Sequence, residues 1–410
     1  MFDVIIIGGG IAGLYSAYKM KELYPSVNLL LIEAEDHLGG RAGNYNFHGQ
    51  SVPIGAGVGR KKKDKLLIKL LDKLKIKYRD FMASSQYANS INPICNLKEM
   101  FLYLKNDYSN DKDKKKTFKQ YAKPKLEEKY GVDSYKYFTI CSGYTDYEKE
   151  SAYDTIYDYG FDDNYSDWPA MAFSWNELVE LLASNIGHRN IKKSCCVKKL
   201  IKSADGNYTV LCNKENFSCK NIIVATTIDS VLDLLPNNGI YKQIKGQEFL
   251  RVYGKFSKES MQVMKESCPK TTIVSGPLHK IIPMNAEKGI YMVAYTDNEG
   301  ARDLEKYKKN TKKNRDVLCR LLEIALEITP KTLELEDIVD FYWEIGTHYY
   351  TPLKGNFQNR KEYCDIAQCP EENIRVVGEL ISMNQGWVEG ALESVDNVID
   401  INWCKKLKHN

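Results

Sequence analysis

Gly8, Gly10 and Gly13 stand in the run GGGIAG with G-x-G-x-x-G spacing, and Glu33 follows Gly13 by twenty residues. Each position has a physical use. The first glycine permits a tight turn, the second lets backbone approach a pyrophosphate, and the third lets a helix pack closely on a strand. A helix starting there turns free N–H groups and a partial positive charge towards the phosphates. A carboxylate at Glu33 can accept both hydroxyls of an adenosine ribose. A second glycine turn follows in HLGGRAG, with Gly39 and Gly40 ahead of Arg41. Arg41 brings paired, planar donors suited to the same pyrophosphate. A nicotinamide-binding unit does not require this element, so the pair of turns moves the reading from NAD towards FAD.

These residues need a scaffold, and the sequence supplies one. DVIII reads as a strand; Ile11, Leu14, Ala17 and Tyr18 give a helical stripe; VNLLLIE reads as a second strand. Short continuous apolar runs of this kind belong to a parallel sheet covered on both faces. From about 78 to 170 the texture turns to Tyr, Asp and Lys without strand-like runs. Its segment NDYSNDKDKKKTFKQYAKPKLEEKYG is expected to be a solvated helix face or loop. CCVKKLIKSADGNYTVLC carries a DG hairpin signal, KNIIVATT a further strand, and NIRVVGE another. The last is followed by a loop and a helical stripe of Val388, Ala391, Leu392, Val395 and Ile399. The expected division is a cofactor domain from 1–77, 171–241 and 346–410, interleaved with a substrate domain from 78–170 and 242–345.

The 410 residues can bury two cores. A net charge of +4 from 58 basic and 54 acidic residues gives no field that would draw nucleic acid, and none is expected as a partner. Eleven irregularly spaced cysteines read as reduced thiols rather than a disulfide framework or a metal site. No apolar run approaches the roughly 20 residues needed to span a bilayer. Met1 leads straight into a strand, so the expectation is a cytoplasmic protein with no membrane attachment.

Taken together, GGGIAG, Glu33, LGGR and PIGAGVG near the start, MAFSWNELVELLA and IIVATTIDSVLDLL in the middle, and VGE with GWVEGALES near the end resemble the flavin-containing monoamine oxidase family. The matching segments cover about a third of the chain, and their order is more specific than any one of them. The resemblance implies a Rossmann-type α/β FAD-binding domain of the glutathione-reductase-like, amine oxidase type, with a mixed α+β substrate domain. It places Gly8, Gly10, Gly13 and Glu33 on the ADP half of FAD, and Gly40 and Arg41 at the phosphates. Gly55, Ala56 and Gly57 would run along the isoalloxazine ring, and the Val197 backbone would hold the adenine. Glu379 would bond the ribityl chain, and the Val388 N–H would face the ring edge that becomes anionic on reduction.

For the reaction, the resemblance implies oxidation of an amine or amino acid by hydride transfer to the flavin, with O2 as the second substrate. Trp387 falls where the family places one ring of an aromatic cage, and Tyr349 is expected opposite it, with Tyr350 next in line. Arg251 occupies the register where the family often has a lysine near the flavin, with Lys255 on the same strand face. An arginine stays protonated and cannot replace a lysine that must release its proton. His348 is expected to be packed or hydrogen-bonded, so non-covalent FAD is favoured over a tether at that residue. A flavin-dependent dehydrogenase or desaturase on a non-amine, and a catalytically idle flavin scaffold, are the alternatives, because a fold does not fix a substrate.

Overall fold

The computed structural model describes residues 1–92 and 96–409. Cys95, one of the eleven cysteines of the thiol reading and part of the 78–170 block, lies outside the described residues. Two large sheets organise the chain. The first, of seven strands, runs in the order Val197–Lys202, Tyr208–Cys212, Asn216–Val224, Phe2–Ile7, Leu29–Ile32, Ile191–Lys192, with Ile374–Val376 also paired to Asn216–Val224. Its central pairs are parallel, whereas Val197–Lys202, Tyr208–Cys212 and Asn216–Val224 form an antiparallel meander. The DG turn closes that hairpin, and Gly206 takes φ +84° there, a conformation that costs glycine little.

The apolar runs are buried on both faces because side chains alternate along a strand. Val4, Ile6, Leu29 and Leu31 pack on one side with the helices Ile11–Leu23, Trp175–Ile186 and Val388–Val398. Ile5, Ile7, Leu30 and Ile32 face the other side, against Tyr208, Tyr241, Tyr350 and Tyr363. The first helix ends at Leu23 because Pro25 disfavours helical backbone at the residue before it; Tyr24 has φ −144°, ψ 80°.

The second sheet has six strands, in the order Leu335–Tyr350, Ile244–Phe256, Ile290–Asp297, Lys280–Asn285, Thr271–Ile273, Ser85–Tyr87. The strand Leu335–Tyr350 pairs antiparallel with Ile244–Phe256 along nearly its whole length. A helical unit is inserted in sequence between the first-sheet strands Leu29–Ile32 and Ile191–Lys192. Its helices Leu97–Asp107, Phe118–Tyr130 and Ser134–Ser142 close around Phe101, Phe118, Phe138 and Phe161, with Phe101 and Phe161 stacked at 4.3 Å. The charged run there is a solvated helix face. Helix Phe118–Tyr130 starts with a capping box between Thr117 and Gln120 and buries Phe118, Tyr121, Ala122 and Leu126.

Two sequence expectations need correction. Strands do occur in the 78–170 block: Arg79–Ala83 and Trp168–Ala172 pair in a small sheet with Gly59–Arg60, and Ser85–Tyr87 joins the second sheet. RDFMA is a mostly exposed edge segment and SQY a three-residue, partly exposed one, so neither shows the apolar alternation that marks a strand. Cys195, Cys196, Cys212, Cys219, Cys268, Cys319, Cys364 and Cys369 are free thiols, but Cys141 is disulfide-bonded. No helix among the described residues is long and apolar enough to cross a membrane.

Candidate functional site

Four parallel strands end at one place. The residues that follow their carboxyl ends, Gly8, Glu33, Ala225 and Gly378, all line a cavity of about 530 Å³. Open α/β sheets place ligands there because the strands diverge and the helix N-termini converge.

The glycines of the first turn divide by function. Gly8 has φ +107°, and a Cβ on it would lie 2.3 Å from the Ala225 carbonyl oxygen. A Cβ on Gly13 would lie 1.9 Å from the Gly8 carbonyl oxygen, so helix and strand touch there through bare backbone. Gly10 is different: a Cβ would meet no atom of the chain closer than 4.0 Å. A side chain at Gly10 would instead occupy the cavity. Gly40 also opens on the cavity, with φ +55° and only Gly10 near its Cβ position. The Gly39 N–H donates to Gly9 O at 2.9 Å, which ties the second turn to the first. This bare double turn at a helix N-terminus is a cradle that fits a pyrophosphate.

The Glu33 carboxylate accepts from the Gly9 N–H at 2.6 Å and the Glu35 N–H at 2.8 Å. One bond reaches each oxygen, which fixes its plane at the cavity rim and leaves lone pairs for a diol. Val197, Cys195 and Cys196 line the same end.

At the other end, Gly55, Ala56 and Gly57 line the cavity as a backbone strip. Two indoles hold it from behind: Trp343 donates to Ile54 O at 2.8 Å and Trp175 to Gly57 O at 3.1 Å. The Ala56 N–H donates to Arg41 O at 2.8 Å. A strip pinned at both ends can pass along a flat ring without a side chain intervening.

Arg41, Glu379 and His348 form one network between the strip and the C-terminal segment. Arg41 Nη1 donates to Glu379 Oε1 at 2.7 Å and to Gly346 O at 2.9 Å. The Gly386 N–H donates to Glu379 Oε2 at 3.0 Å. His348 Nε2 accepts from the Ile228 N–H at 3.1 Å, so the ring proton sits on Nδ1 and is donated to Glu379. Both imidazole nitrogens are therefore engaged. Burial alone would raise the Glu379 carboxyl, but His348, Arg41 and the Gly386 N–H hold it well below the usual carboxylate range.

Gly386, at φ +77°, turns the chain into Trp387, which is the N-cap of helix Val388–Val398 with no side-chain cap. Trp387, Val388 and Ala391 line the cavity. The Arg60 guanidinium lies 3.7 Å from the Trp387 ring centroid and the Trp168 ring meets the indole edge-on. Arg60 is itself held by Asp64 at 2.8 Å. Because Asp64 serves Arg60, helix Lys65–Lys73 has no side-chain cap from its own N-cap residue. Glu389 caps it instead, accepting from Leu66 N at 2.8 Å and Leu67 N at 3.0 Å.

Arg251 is buried in the cavity wall, donating through Nη2 to the Tyr295 hydroxyl at 3.1 Å. Lys255 points elsewhere, to Phe256 O and Glu336. Tyr349 and Trp387 do not share a cavity. Tyr349 lines a neighbouring space of about 30 Å³, and the rings beside Trp387 in the large cavity include Tyr144, Phe249, Tyr295 and Trp343. Thr347 borders both spaces, and two residues along a strand advance about 7 Å, which carries Tyr349 past the boundary. Tyr350 is in the core, donating to Ser382 O at 3.0 Å. Of the expected cofactor residues, only Gly13 stands behind the cavity wall rather than on it.

Sequence reasoning missed Arg60, the indole anchors Trp175 and Trp343, and Asp146. Asp146 borders both spaces; burial and Asp297 push its carboxyl up to about 7, and Tyr159 donates to it at 2.7 Å. Trp175 had a signal in the MAFSWNELV segment, and Trp343 in WEIGTHYYTPL, the stretch that also carries Tyr349 and Tyr350.

Comparison with known proteins places this geometry in context. Residues 6–74 match the family model of an NAD(P)-binding Rossmann-like domain. An uncharacterised protein of Acanthamoeba polyphaga mimivirus is 20% identical, covering 97% of this chain and 93% of its own length. Polyamine oxidase 1 of Zea mays is 42% identical over 53 residues, 13% of this chain and 10% of its own length. Among solved structures, a double mutant of putrescine oxidase aligns over 100% of this chain and 99% of its own, at 15% identity and a TM-score of 0.76. Cyclohexylamine oxidase from Brevibacterium oxydans aligns over 99% of both chains at 14% identity and a TM-score of 0.71. The chain has the fold of these amine oxidases, and the resemblance drawn from its motifs holds at that level.

Proposed function

We propose that the chain is an FAD-dependent oxidoreductase that oxidises an amine. The observation that carries this reading is the convergence of the bare double turn at Gly10 and Gly40, the fixed Glu33 carboxylate, the Gly55–Gly57 strip and the helix start at Val388 on one cavity. The fold shared with putrescine oxidase and cyclohexylamine oxidase supports it.

In this reading Gly8, Gly10, Gly13 and Glu33 hold the ADP half, Gly40 lies at the pyrophosphate, and Arg41 and Glu379 hold the central part of FAD. Val197 lies by the adenine, Gly55, Ala56 and Gly57 lie along the flavin ring, and the Val388 N–H serves its anionic edge. FAD, non-covalently bound, supplies the acceptor for the hydride of the amine α-carbon. The balanced reaction turns amine, O2 and water into carbonyl compound, ammonia and hydrogen peroxide, through hydrolysis of the imine. The protein's own contributions are position, field and exclusion of water. Trp387, backed by Arg60, forms one wall; Arg251 and Tyr295 form the wall by Gly57; Tyr349 shapes the inner recess. The interleaved division, with cofactor parts 1–77, 171–241 and 346–410, and a cytoplasmic site of action belong to the same proposal.

Anaerobic titration of the purified flavoprotein with a panel of amines and amino acids tests it. Bleaching of the flavin absorbance by an amine, with peroxide on readmission of air, is the expected result. Tight FAD without reduction by any amine would overturn the amine half. Turnover with an artificial acceptor but none with oxygen would favour a dehydrogenase.

A further inference from the structure

Three arginines are buried in this chain, and two of them have a carboxylate. Arg60 pairs with Asp64 at 2.7 Å and Arg360 with Asp154 at 2.7 Å. Arg251, only 6% exposed, makes no ion pair among the described residues. Its guanidinium carbon lies 4.4 Å from the centroid of the Tyr295 ring, Nη2 is bonded to the Tyr295 hydroxyl, and Nη1 is buried without a partner. Arginine cannot shed its proton to escape this situation, whereas a buried lysine can. A buried, uncompensated cation is costly and is retained where an anion completes it.

The surroundings leave room for that anion. Arg251 lines the large cavity at the Gly55–Gly57 strip. A Cβ on Gly57 would lie 3.5 Å from Nη2 and 3.7 Å from Nη1, so glycine keeps the approach to the guanidinium free of side chain. Tyr144, stacked edge-on against Tyr295 at 5.5 Å, and Phe249 complete an aromatic surround that excludes water and strengthens a charge-assisted bond.

We infer that Arg251 is the receptor for a carboxylate on the substrate, and that the amine oxidised here is an amino acid or another amine bearing a carboxylate. This rests on the proposed reading of the cavity as a flavin amine site and narrows its substrate class. The guanidinium receives the carboxylate from the cavity side, Tyr295 holds its plane, and the ammonium end of the substrate lies on the Trp387 side. No proton moves at Arg251, so recognition follows the ionisation of the substrate carboxyl alone.

Calorimetric binding of benzoate and its uncharged shape-match benzamide to the FAD-bound protein tests the charge requirement without needing turnover. Benzoate is expected to bind at least about tenfold more tightly. Arg251→Gln is expected to abolish that preference, and Arg251→Lys, which keeps the charge but not the fork, to retain part of it; retained flavin content shows that each variant folds. Equal binding of the two probes, a preference unchanged in Arg251→Gln, or no benzoate binding at millimolar concentration overturns the inference. A parallel anaerobic assay separates this from the underlying function. If phenethylamine reduces the flavin and phenylalanine does not, the carboxylate receptor falls while amine oxidation stands. If neither reduces it, amine oxidation is in question while the benzoate comparison still decides the receptor.

Discussion

The indole of Trp387 has two neighbours with different duties. Arg60, clamped by Asp64, covers one of its faces, so the ring cannot rotate without breaking a buried ion pair. On the proposed reading, in which FAD rests on backbone at Gly10, Gly40 and Val388, Trp387→Ala is expected to keep bound FAD while lowering kcat/KM by about 100-fold. Steady-state kinetics beside flavin content would check this, and loss of FAD together with activity would refute it. Glu379 carries a different load: it receives Arg41, His348 and the Gly386 N–H at once. Glu379→Gln leaves the half-buried Arg41 guanidinium underpaired and should destabilise the protein by about 1.5–3 kcal/mol, the range for a hydrogen bond to a charged group. Thermal melting of the apoprotein and holoprotein would show it in both forms. The types of these residues were legible from sequence, but their mutual contacts were not. Arg41 and Glu379 each read as a ligand of the cofactor, and nothing along the chain indicated that they bond one another across 338 positions.

Secondary-structure elements here lend each other what each lacks. Helix Lys65–Lys73 begins at an aspartate that is already spent on Arg60, and the capping acceptor comes from Glu389, in the first turn of a helix more than 300 residues later. Burial raises the Glu389 carboxyl above its ordinary range, and the two N–H bonds oppose that rise. Glu389→Ala should cost about 1–2 kcal/mol, as loss of a helix cap does, and hydrogen exchange should rise in the first turn of Lys65–Lys73 as well as at the site of substitution. Protection unchanged in that helix would show that the cap carries no stability. Motifs built from adjacent residues were readable because backbone sterics decide them: the GGGIAG turn and the DG hairpin need no distant partner. The borrowed cap, the indole anchors of the Gly55–Gly57 strip and the position of Tyr349 depend on where two elements meet, which periodicity does not encode. The short edge strands Arg79–Ala83 and Ser85–Tyr87 failed for a related reason, since their neighbours supply the pairing that their composition does not announce.

Across the whole molecule, the helical unit and the second sheet enclose an acidic recess beside the large cavity. Asp158 borders it, and burial, with Asp154 adding and Arg360 opposing, pushes its carboxyl up to about 6. A carboxyl raised in the folded state favours the protonated form, so its contribution is complete below the unfolded value and is lost as pH rises from about 4 through about 6. Asp158→Asn mimics the protonated acid. It should raise stability at pH 8 by about 1 kcal/mol, a figure reduced for partial solvent screening, and make no difference near pH 4. Denaturant titrations at both values would decide it, and a variant less stable at pH 8 would reverse the sign. At this scale the α/β sheet and its crevice were legible, because continuous apolar strands and glycine turns are local signatures of it. The partition into two adjoining spaces was not, since it follows from how far a sixteen-residue strand, Leu335–Tyr350, extends past the first sheet. The cavity also draws on Gly8 and on Val388, near opposite ends of the described chain. During synthesis, the walls meet only after Val388 and its helix have left the ribosome. Cofactor loading then waits for that helix, and a nascent or truncated chain that lacks it presents the glycine cradle with no opposite wall. Retention of the yellow colour would in effect report that translation ran past the Val388 helix.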